Sequence, residues 1–179
     1  MRFIAILLLV SCQPIGTINE TSFIKTYGGT GTDRGVHIIQ ASDGNFVIVG
    51  NTMTKTEGLN VYLLKCTSAG DTLWTKTFGG VQDDNGWSVK ETSDTGYIIV
   101  GFTESYDAIE NDVLLIKTDS NGNKQWHKTF GGSGDDIAWS IATNTDDGYT
   151  IAAQTSSLGN GKLDAYLIRT DANGDTLWT

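Results

Sequence analysis

Short stretches in which apolar and polar residues alternate, or in which apolar residues run together, follow one another along most of the chain. Residues 86–91 alternate, as a strand with one buried face does. Residues 97–101 and 113–117 are apolar on both faces, which predicts strands that lie between two layers. Residues 124–130 alternate again. Turn residues separate these stretches, including an Asn-Gly pair before the last one. The pattern predicts a unit of four short strands.

The same four-strand pattern occurs three times along the chain, at spacings of 51 to 52 residues. The positions that align best are aromatic: Phe46, Tyr97 and Tyr149 in the second strand, and Trp74, Trp126 and Trp178 in the fourth. Four strands in about 50 residues, with inner strands buried on both faces, are typical of a β-propeller blade, in which each sheet packs face to face on the next. We therefore predict an all-β partial β-propeller of three four-stranded blades, each of about 51–52 residues, with repeats at about 27–77, 78–129 and 130–179. An open stack of small β-sheets fits the same pattern.

The two ends of the repeat region bear on whether the blades can close into a ring. Residues 21–27 match the last strand of a unit, with Phe23 in place of the tryptophan, and the chain stops at 175–179 in the same type of strand. Known propellers close with about 4 to 8 blades, so three blades and a spare strand should not close a ring. We expect either a piece of a longer protein or a complete chain whose copies associate as a homo-oligomer.

The first residues have the layout of an export signal, with one basic residue and an apolar run shorter than the roughly 20 residues that a membrane-spanning helix needs. The sequence Leu-Val-Ser-Cys at 9–12 resembles the lipobox of bacterial lipoproteins. This resemblance implies a signal peptide at 1–12, lipid attachment to Cys12, and a tether at 13–17 ahead of a domain at 18–179. We expect an exported protein of the bacterial cell envelope or surface, such as the outer membrane, that meets the membrane only through its lipid anchor. An ordinary signal peptide or a buried first strand would also fit the apolar run.

Composition and charge narrow the possible partners. With 39% apolar and 18% charged residues the chain is ordinary for a globular protein, and 22 glycines with one proline suit short strands joined by tight turns. The formal net charge is −9, and the lysines are scattered singly along the strands. Because a nucleic-acid surface needs a basic patch, we do not expect nucleic acid as a partner. If Cys12 carries lipid, Cys66 has no partner within the chain, and we interpret it as a strand-end packing residue.

The repeated sequence motifs resemble those of a known family. The chain reads Phe-Gly-Gly-Ser-Gly-Asp-Asp at 130–136, Asp-Gly-Tyr-Thr-Ile-Ala at 147–152, Leu-Ile-Arg-Thr-Asp at 167–171 and Asn-Gly-Asp-Thr-Leu-Trp at 173–178. This signature resembles the repeats of predicted β-propeller proteins on bacterial and archaeal surfaces. The resemblance implies a fold and a location more than an activity.

A more distant resemblance concerns the tryptophans. Asn-Gly at 121–122 followed by Trp126, and Asn-Gly at 173–174 followed by Trp178, resemble the Gly-to-Trp docking motifs of quinoprotein-type propellers and of the propeller lipoprotein of outer-membrane assembly. In the first copy the pair is Ala-Gly at 69–70. Because the first copy departs from the motif, we carry over from this resemblance only the packing between neighbouring blades and not cofactor binding. The expected blade-packing residues are Trp74, Trp126, Trp178, Phe78 and Phe130.

Pairs of carboxylates stand in the Gly-rich loops between units, and they are Asp83, Asp84, Asp135 and Asp136. The first copy offers only Asp33. Ca²⁺ takes six to eight oxygen ligands, so converging carboxylates of neighbouring blades are candidate metal ligands. The alternative is that these side chains cap the loops by accepting hydrogen bonds from backbone amides. We expect no other cofactor.

The loops between the second and third strands differ most among the three copies, and they lie at 54–60, 103–111 and 155–162. Variable loops on a common scaffold are the usual place for ligand contacts. Tyr106 is the one exposed aromatic candidate in these loops, and it could stack on a sugar or on a peptide. Solvated loops without a ligand are the alternative.

Catalysis is not expected, because the two histidines fall at different places in the repeat and no nucleophile motif surrounds a serine. We predict a non-catalytic, surface-exposed binding or scaffold module of β-propeller type, part of a larger protein or assembly, with a protein or glycan ligand. One alternative is a glycan-binding module in a carbohydrate-processing system. Another is an enzyme that uses a metal held by the loop carboxylates.

Overall fold

The computed structural model describes residues 24–53 and 58–179. Within these residues the chain forms twelve β-strands and no helix, so the all-β prediction is confirmed. The first sheet contains β1 (Thr32–Gln40), β2 (Phe46–Met53), β3 (Leu59–Cys66) and β4 (Thr72–Phe78). The second contains β5 (Asp84–Glu91), β6 (Tyr97–Thr103), β7 (Asp112–Thr118) and β8 (Lys124–Phe130). The third contains β9 (Asp136–Thr143), β10 (Tyr149–Thr155), β11 (Asp164–Thr170) and β12 (Thr176–Trp178).

The part of the chain that the structure describes contains no helix long and apolar enough to cross a membrane. The predicted signal peptide, Cys12 and the tether lie outside the described residues, as do residues 54–57 of the first variable loop.

Each sheet is an antiparallel meander in which the strands follow one another in chain order. In the second sheet Tyr97 lies opposite Thr118, and on the next pair of strands Thr118 lies opposite Lys124. At the turn between β7 and β8, Gly122 has a φ of +74°, and its amide donates to the carbonyl of Asp119 at 3.1 Å. Glycine enters this left-handed region without steric cost, which explains its place in the repeat. The predicted unit of four strands is confirmed in all three copies.

The three sheets stack in chain order, and the middle sheet is covered on both sides. β5 lies against β1, β2 and β3 of the first sheet, and β9 lies against β5, β6 and β7 of the second. Alternate side chains of the middle sheet enter two apolar clusters: Ile99, Leu114 and Ile116 face the first sheet, and Ile98, Val100 and Leu115 face the third. Full burial of one such side chain contributes roughly 1.5–3 kcal/mol, so the double coverage stabilises the middle sheet most strongly. The described residues show a stack of three sheets and no closed ring.

The segment that precedes β1 takes the position of an outer strand without forming one. Residues 24–29 form no strand, although the sequence predicts one at 21–27. The side chain of Lys25 nevertheless pairs with Asp71 in the β3–β4 turn. One sheet further on, Lys76 of β4 donates to Asn123 at 2.8 Å, and Asn123 stands in the equivalent turn. Through this contact the segment takes the place on the first sheet that an outer strand takes on the next.

Candidate functional site

The Gly-Gly loop that leads into the second sheet is closed by Asp84. This side chain is fully buried, and one carboxylate oxygen accepts a hydrogen bond from the amide of Gly80 at 2.7 Å. The hydroxyl of Thr103 donates to the other oxygen, and the hydroxyl of Ser105 donates to the first at 3.0 Å. Buried carboxylates must be paired or hydrogen-bonded, and here neutral donors of the Gly-Gly loop, of β6 and of the loop after β6 fulfil that need.

The bond to the Gly-Gly amide recurs at the equivalent carboxylates of the other two repeats, although one oxygen of Asp136 is buried without a partner. Asp136 accepts from the amide of Gly132 at 2.9 Å and from the hydroxyl of Ser157 at 2.6 Å. Asp33 accepts from the amide of Gly29 at 2.8 Å. A backbone amide four residues earlier is therefore bonded by the same aspartate in each copy, which is the capping role.

The first carboxylate of each pair ties the Gly-Gly loop to the start of the third strand. Asp83 accepts from the amide of Leu59 at 2.7 Å, and Asp135 accepts from the side-chain amide of Asn111 at 2.6 Å. Among residues 24–53 and 58–179, no group of three or more His, Cys, Asp or Glu side chains could hold a metal ion. All four aspartates thus have hydrogen-bond partners within the protein, and the calcium site stays a prediction from the sequence.

One junction brings two carboxylates together, and the sequence pattern did not reveal it. A Cβ atom at Gly131 would contact the carboxylates of both Asp112 and Asp136. One oxygen of Asp112 is buried and has no hydrogen-bond partner in the described chain. Burial, together with the charge of Asp136, raises the pKa of Asp112. In the first repeat Asn60 takes the place of Asp112. The junction between the second and third sheets (the second junction) therefore holds one negative charge more at this position than the junction between the first and second sheets (the first junction).

The structure places Trp74 and Trp126 between neighbouring sheets. A Cβ atom at Gly122 would lie 2.7 Å from the Trp74 ring, and one at Gly174 would lie 2.8 Å from the Trp126 ring. Each tryptophan of one sheet thus lies on a glycine turn of the next, and its indole borders the core there. The two phenylalanines expected to pack between blades, Phe78 and Phe130, adjoin the same two clusters.

Trp178 occupies the same repeat position in the third sheet but is 50% exposed. Trp178 lies opposite Arg169 of β11 in the sheet. Leu167, two residues before Arg169 in β11 and on the same face, is 46% exposed. In the middle sheet the position equivalent to Leu167 is Leu115, which is fully buried. We call the surface formed by Thr150, Ala152, Leu167, Arg169 and Trp178 the open face of the third sheet.

Tyr106 lies at the opposite end of the sheets from the β-turns and is only partly exposed. Its ring centroid is 4.3 Å from that of His127, and the ammonium of Lys124 lies 5.7 Å from it. Burial, and then the charge of Asp84, raises the pKa of the Tyr106 hydroxyl. The ring expected to be exposed for stacking on a ligand therefore already has His127 and Lys124 as neighbours.

Cys66 ends β3 and is buried with a free thiol. Its position in the sheet fits the packing role that the sequence suggests. The lipidation candidate Cys12 lies outside the described residues.

Comparison with known proteins assigns no family to the chain. No protein-family model matches it, and a search of curated proteins returns no match.

Proposed function

We propose that the chain is a non-catalytic binding and scaffold module of β-propeller type, exported to the bacterial cell envelope and anchored there by lipid on Cys12. The observation that carries the proposal is the open face of the third sheet. An exposed apolar patch on a folded domain usually marks a contact surface. The partner that fits this face is another sheet of the same repeat, because two such contacts already exist inside the chain.

The internal contacts indicate how a partner sheet would be held. In the middle sheet the face that contains Leu115 and Trp126 is covered by the third sheet. On the open face the equivalent positions hold Leu167 and Trp178, so the same two anchors are available to a further sheet. Trp126 packs on the turn glycine Gly174, and Trp178 would pack in the same way on a turn glycine of the partner sheet.

The open face is less apolar than the internal faces, which favours a reversible contact. Thr150 stands where the middle sheet has Ile98, and Ala152 stands where it has Val100. Interfaces that are permanent resemble a protein core, whereas transient ones are smaller and more polar. A second copy of the chain, packed face to face, satisfies these conditions and makes the association testable with the protein alone.

The experiment compares self-association of three proteins that all carry Cys12→Ser to prevent lipidation. The first has no further change, the second carries Leu167→Glu on the open face, and the third carries Val81→Glu in an exposed loop as a matched control. We expect light scattering and sedimentation velocity to show a concentration-dependent oligomer for the first and third proteins and a monomer for the second. A monomer in all three proteins, up to about 100 μM, would contradict the role of this face, because any self-association would then be weaker than about −5.5 kcal/mol.

The lipid anchor is tested separately. When the chain is expressed in a bacterium fed with radiolabelled palmitate, the wild-type protein should incorporate label and the Cys12→Ser variant should not. Label in both proteins, or in neither, would overturn the anchoring part of the proposal and leave the sheet-contact part intact.

A further inference from the structure

A groove of about 560 Å³ lies at the end of the molecule where the turns of the three sheets meet. Its wall includes turn residues from β1–β2, β5–β6 and β9–β10, and it is rich in hydroxyls and carboxylates. The charged residues on the wall are Glu91, Asp94, Asp147 and Lys117. Three carboxylates against one ammonium give the groove a net negative charge.

The groove contains a tyrosine hydroxyl that has no partner within the described chain. Tyr149 lines the groove, and only 3% of its surface is exposed. No residue in the described part of the chain hydrogen-bonds to its hydroxyl, which is not among the fully buried polar atoms and therefore opens into the groove. Burial, followed by the negative charges of Asp94, Asp147 and Asp171, raises the pKa of Tyr149 to about 12. The hydroxyl is therefore neutral at pH 7 and surrounded by carboxylates, a setting that attracts a cation.

The first junction of the chain shows what such a hydroxyl binds. Tyr97 holds the repeat position of Tyr149, and its hydroxyl lies 2.9 Å from the ammonium nitrogen of Lys65. The same ammonium lies 2.6 Å from the carboxylate of Asp43, which belongs to the β1–β2 turn. An ammonium group thus fills the space between a turn carboxylate and the tyrosine.

At the second junction the equivalent ammonium is held elsewhere. Lys117 bonds the carboxylate of Asp94 at 2.8 Å, the carbonyl of Thr118 at 2.9 Å and the side chain of Gln125 at 3.2 Å. It makes no hydrogen bond to Tyr149. The position that Lys65 fills at the first junction is therefore open at the second, and it opens into the groove.

Asp147 and Glu91, two of the carboxylates on the groove wall, accept hydrogen bonds from neutral donors, whereas Asp94 is paired with Lys117. Asp147 accepts from the hydroxyl of Ser93 at 2.6 Å. Glu91 accepts from the amide and the hydroxyl of Ser42 at 2.7 and 2.8 Å. These bonds hold Asp147 and Glu91 in place without pairing them with a cation, so the groove favours a cationic ligand over an anionic one.

We propose that the groove binds a primary alkylammonium group, with the ammonium seated between the hydroxyl of Tyr149 and the carboxylates of Asp94 and Asp147. A lysyl side chain of a protein and a free aliphatic diamine share this chemistry. The site is separate from the open face of the third sheet, so it can be present whether or not that face binds a second copy.

The experiment is calorimetric titration of the full chain in 150 mM NaCl, which screens non-specific attraction between charges. The probes are n-pentylamine, 1,5-diaminopentane and Nα-acetyl-lysine N-methylamide, and 1-pentanol is the neutral control. We expect saturable binding of the amines and none of the alcohol. Tighter binding of the diamine would assign the site to free diamines, and tighter binding of the lysine derivative would assign it to a protein partner.

Two variants locate the binding. Tyr149→Phe removes only the hydroxyl and should weaken amine binding about tenfold or more, because hydrogen bonds to charged groups are strong. Tyr97→Phe makes the same change at the first junction and should leave amine binding unchanged. Thermal melts accompany both variants: Tyr149→Phe should not lower the melting temperature, since its hydroxyl has no partner, whereas Tyr97→Phe should lower it. Absence of amine binding, equal binding of 1-pentanol, or wild-type affinity in Tyr149→Phe would overturn the proposal.

Discussion

A single methyl group at Gly122 tests the contact between the first two sheets. Gly122 has a φ of +74°, and a Cβ atom there would lie 2.7 and 2.8 Å from two carbons of the Trp74 ring and 2.9 Å from the side chain of Lys76. Carbon atoms in ordinary contact are about 3.5–4.0 Å apart. Gly122→Ala therefore forces either the indole or the turn to move.

The magnitude has two parts that a matched control separates. An alanine in the left-handed region costs about 1–2 kcal/mol in backbone energy wherever it stands. Overpacking against the indole adds about 1–3 kcal/mol. Gly44 has a φ of +81° in the β1–β2 turn, and a Cβ atom there would meet nothing within 4 Å, so Gly44→Ala carries the first part alone. We expect Gly122→Ala to destabilise the protein by about 2–5 kcal/mol and Gly44→Ala by about 1–2 kcal/mol.

The assay is chemical denaturation of both variants and the wild type, followed by intrinsic tryptophan fluorescence. A double-mutant cycle with Trp74→Ala isolates the clash, because Gly122→Ala in that background should cost no more than Gly44→Ala does in the wild type. Equal losses of stability for Gly122→Ala and Gly44→Ala, with no coupling to Trp74, would refute the docking of the indole on the turn glycine.

Two further predictions concern carboxylates whose surroundings differ between repeats. Asp112→Asn should stabilise the protein by about 1 kcal/mol at pH 7, because it removes the unpaired charge beside Asp136, and Asn60→Asp in the first repeat should destabilise it similarly. The folded-state pKa of Asp112 is raised above its unfolded value, so the gain should disappear when denaturation is measured below about pH 3.8, and a gain that persists there would contradict the charge argument. Lys65→Met should flatten the fall in stability between about pH 4 and pH 2: the hydrogen bond from Lys65 lowers the pKa of Asp43 to about 2, so the pair stabilises the fold above the unfolded pKa and loses that contribution as pH falls through the folded one. An unchanged pH slope in the Lys65→Met variant would show that this pair contributes nothing.

The strands and their grouping could be predicted because the signals are local. Alternation over 86–91 predicts β5, which the structure extends by two residues to Asp84–Glu91. The apolar run at 97–101 lies within β6, which ends at Thr103. A side-chain period of two and a turn glycine are properties of a few consecutive residues, and the recurrence of the pattern makes the grouping unambiguous.

Contacts between repeats could not be read in this way, because they depend on residues far apart in the chain. Asp112 and Asp136 stand 24 positions apart, and nothing in the local pattern places their carboxylates beside one glycine. Tyr106 shows the same difficulty: loop composition suggests an exposed ring, while His127, 21 positions later in β8, packs against it. Sequence predicts which residues share a strand face, and tertiary packing decides which faces meet.

The lysines of the two junctions show why equivalent positions in a repeat need not make the same hydrogen bonds. Lys65 and Lys117 align in register, and each pairs with the aspartate of its own β-turn. The neighbouring strand, however, offers Leu73 beside Lys65 and Gln125 beside Lys117. Leucine accepts no hydrogen bond, so the first ammonium turns to the tyrosine hydroxyl, whereas the amide oxygen of Gln125 accepts one from the second ammonium. One polar residue on the outer strand thus leaves the hydroxyl of the next sheet without a partner, and a site arises where the repeat pattern is broken by a single acceptor.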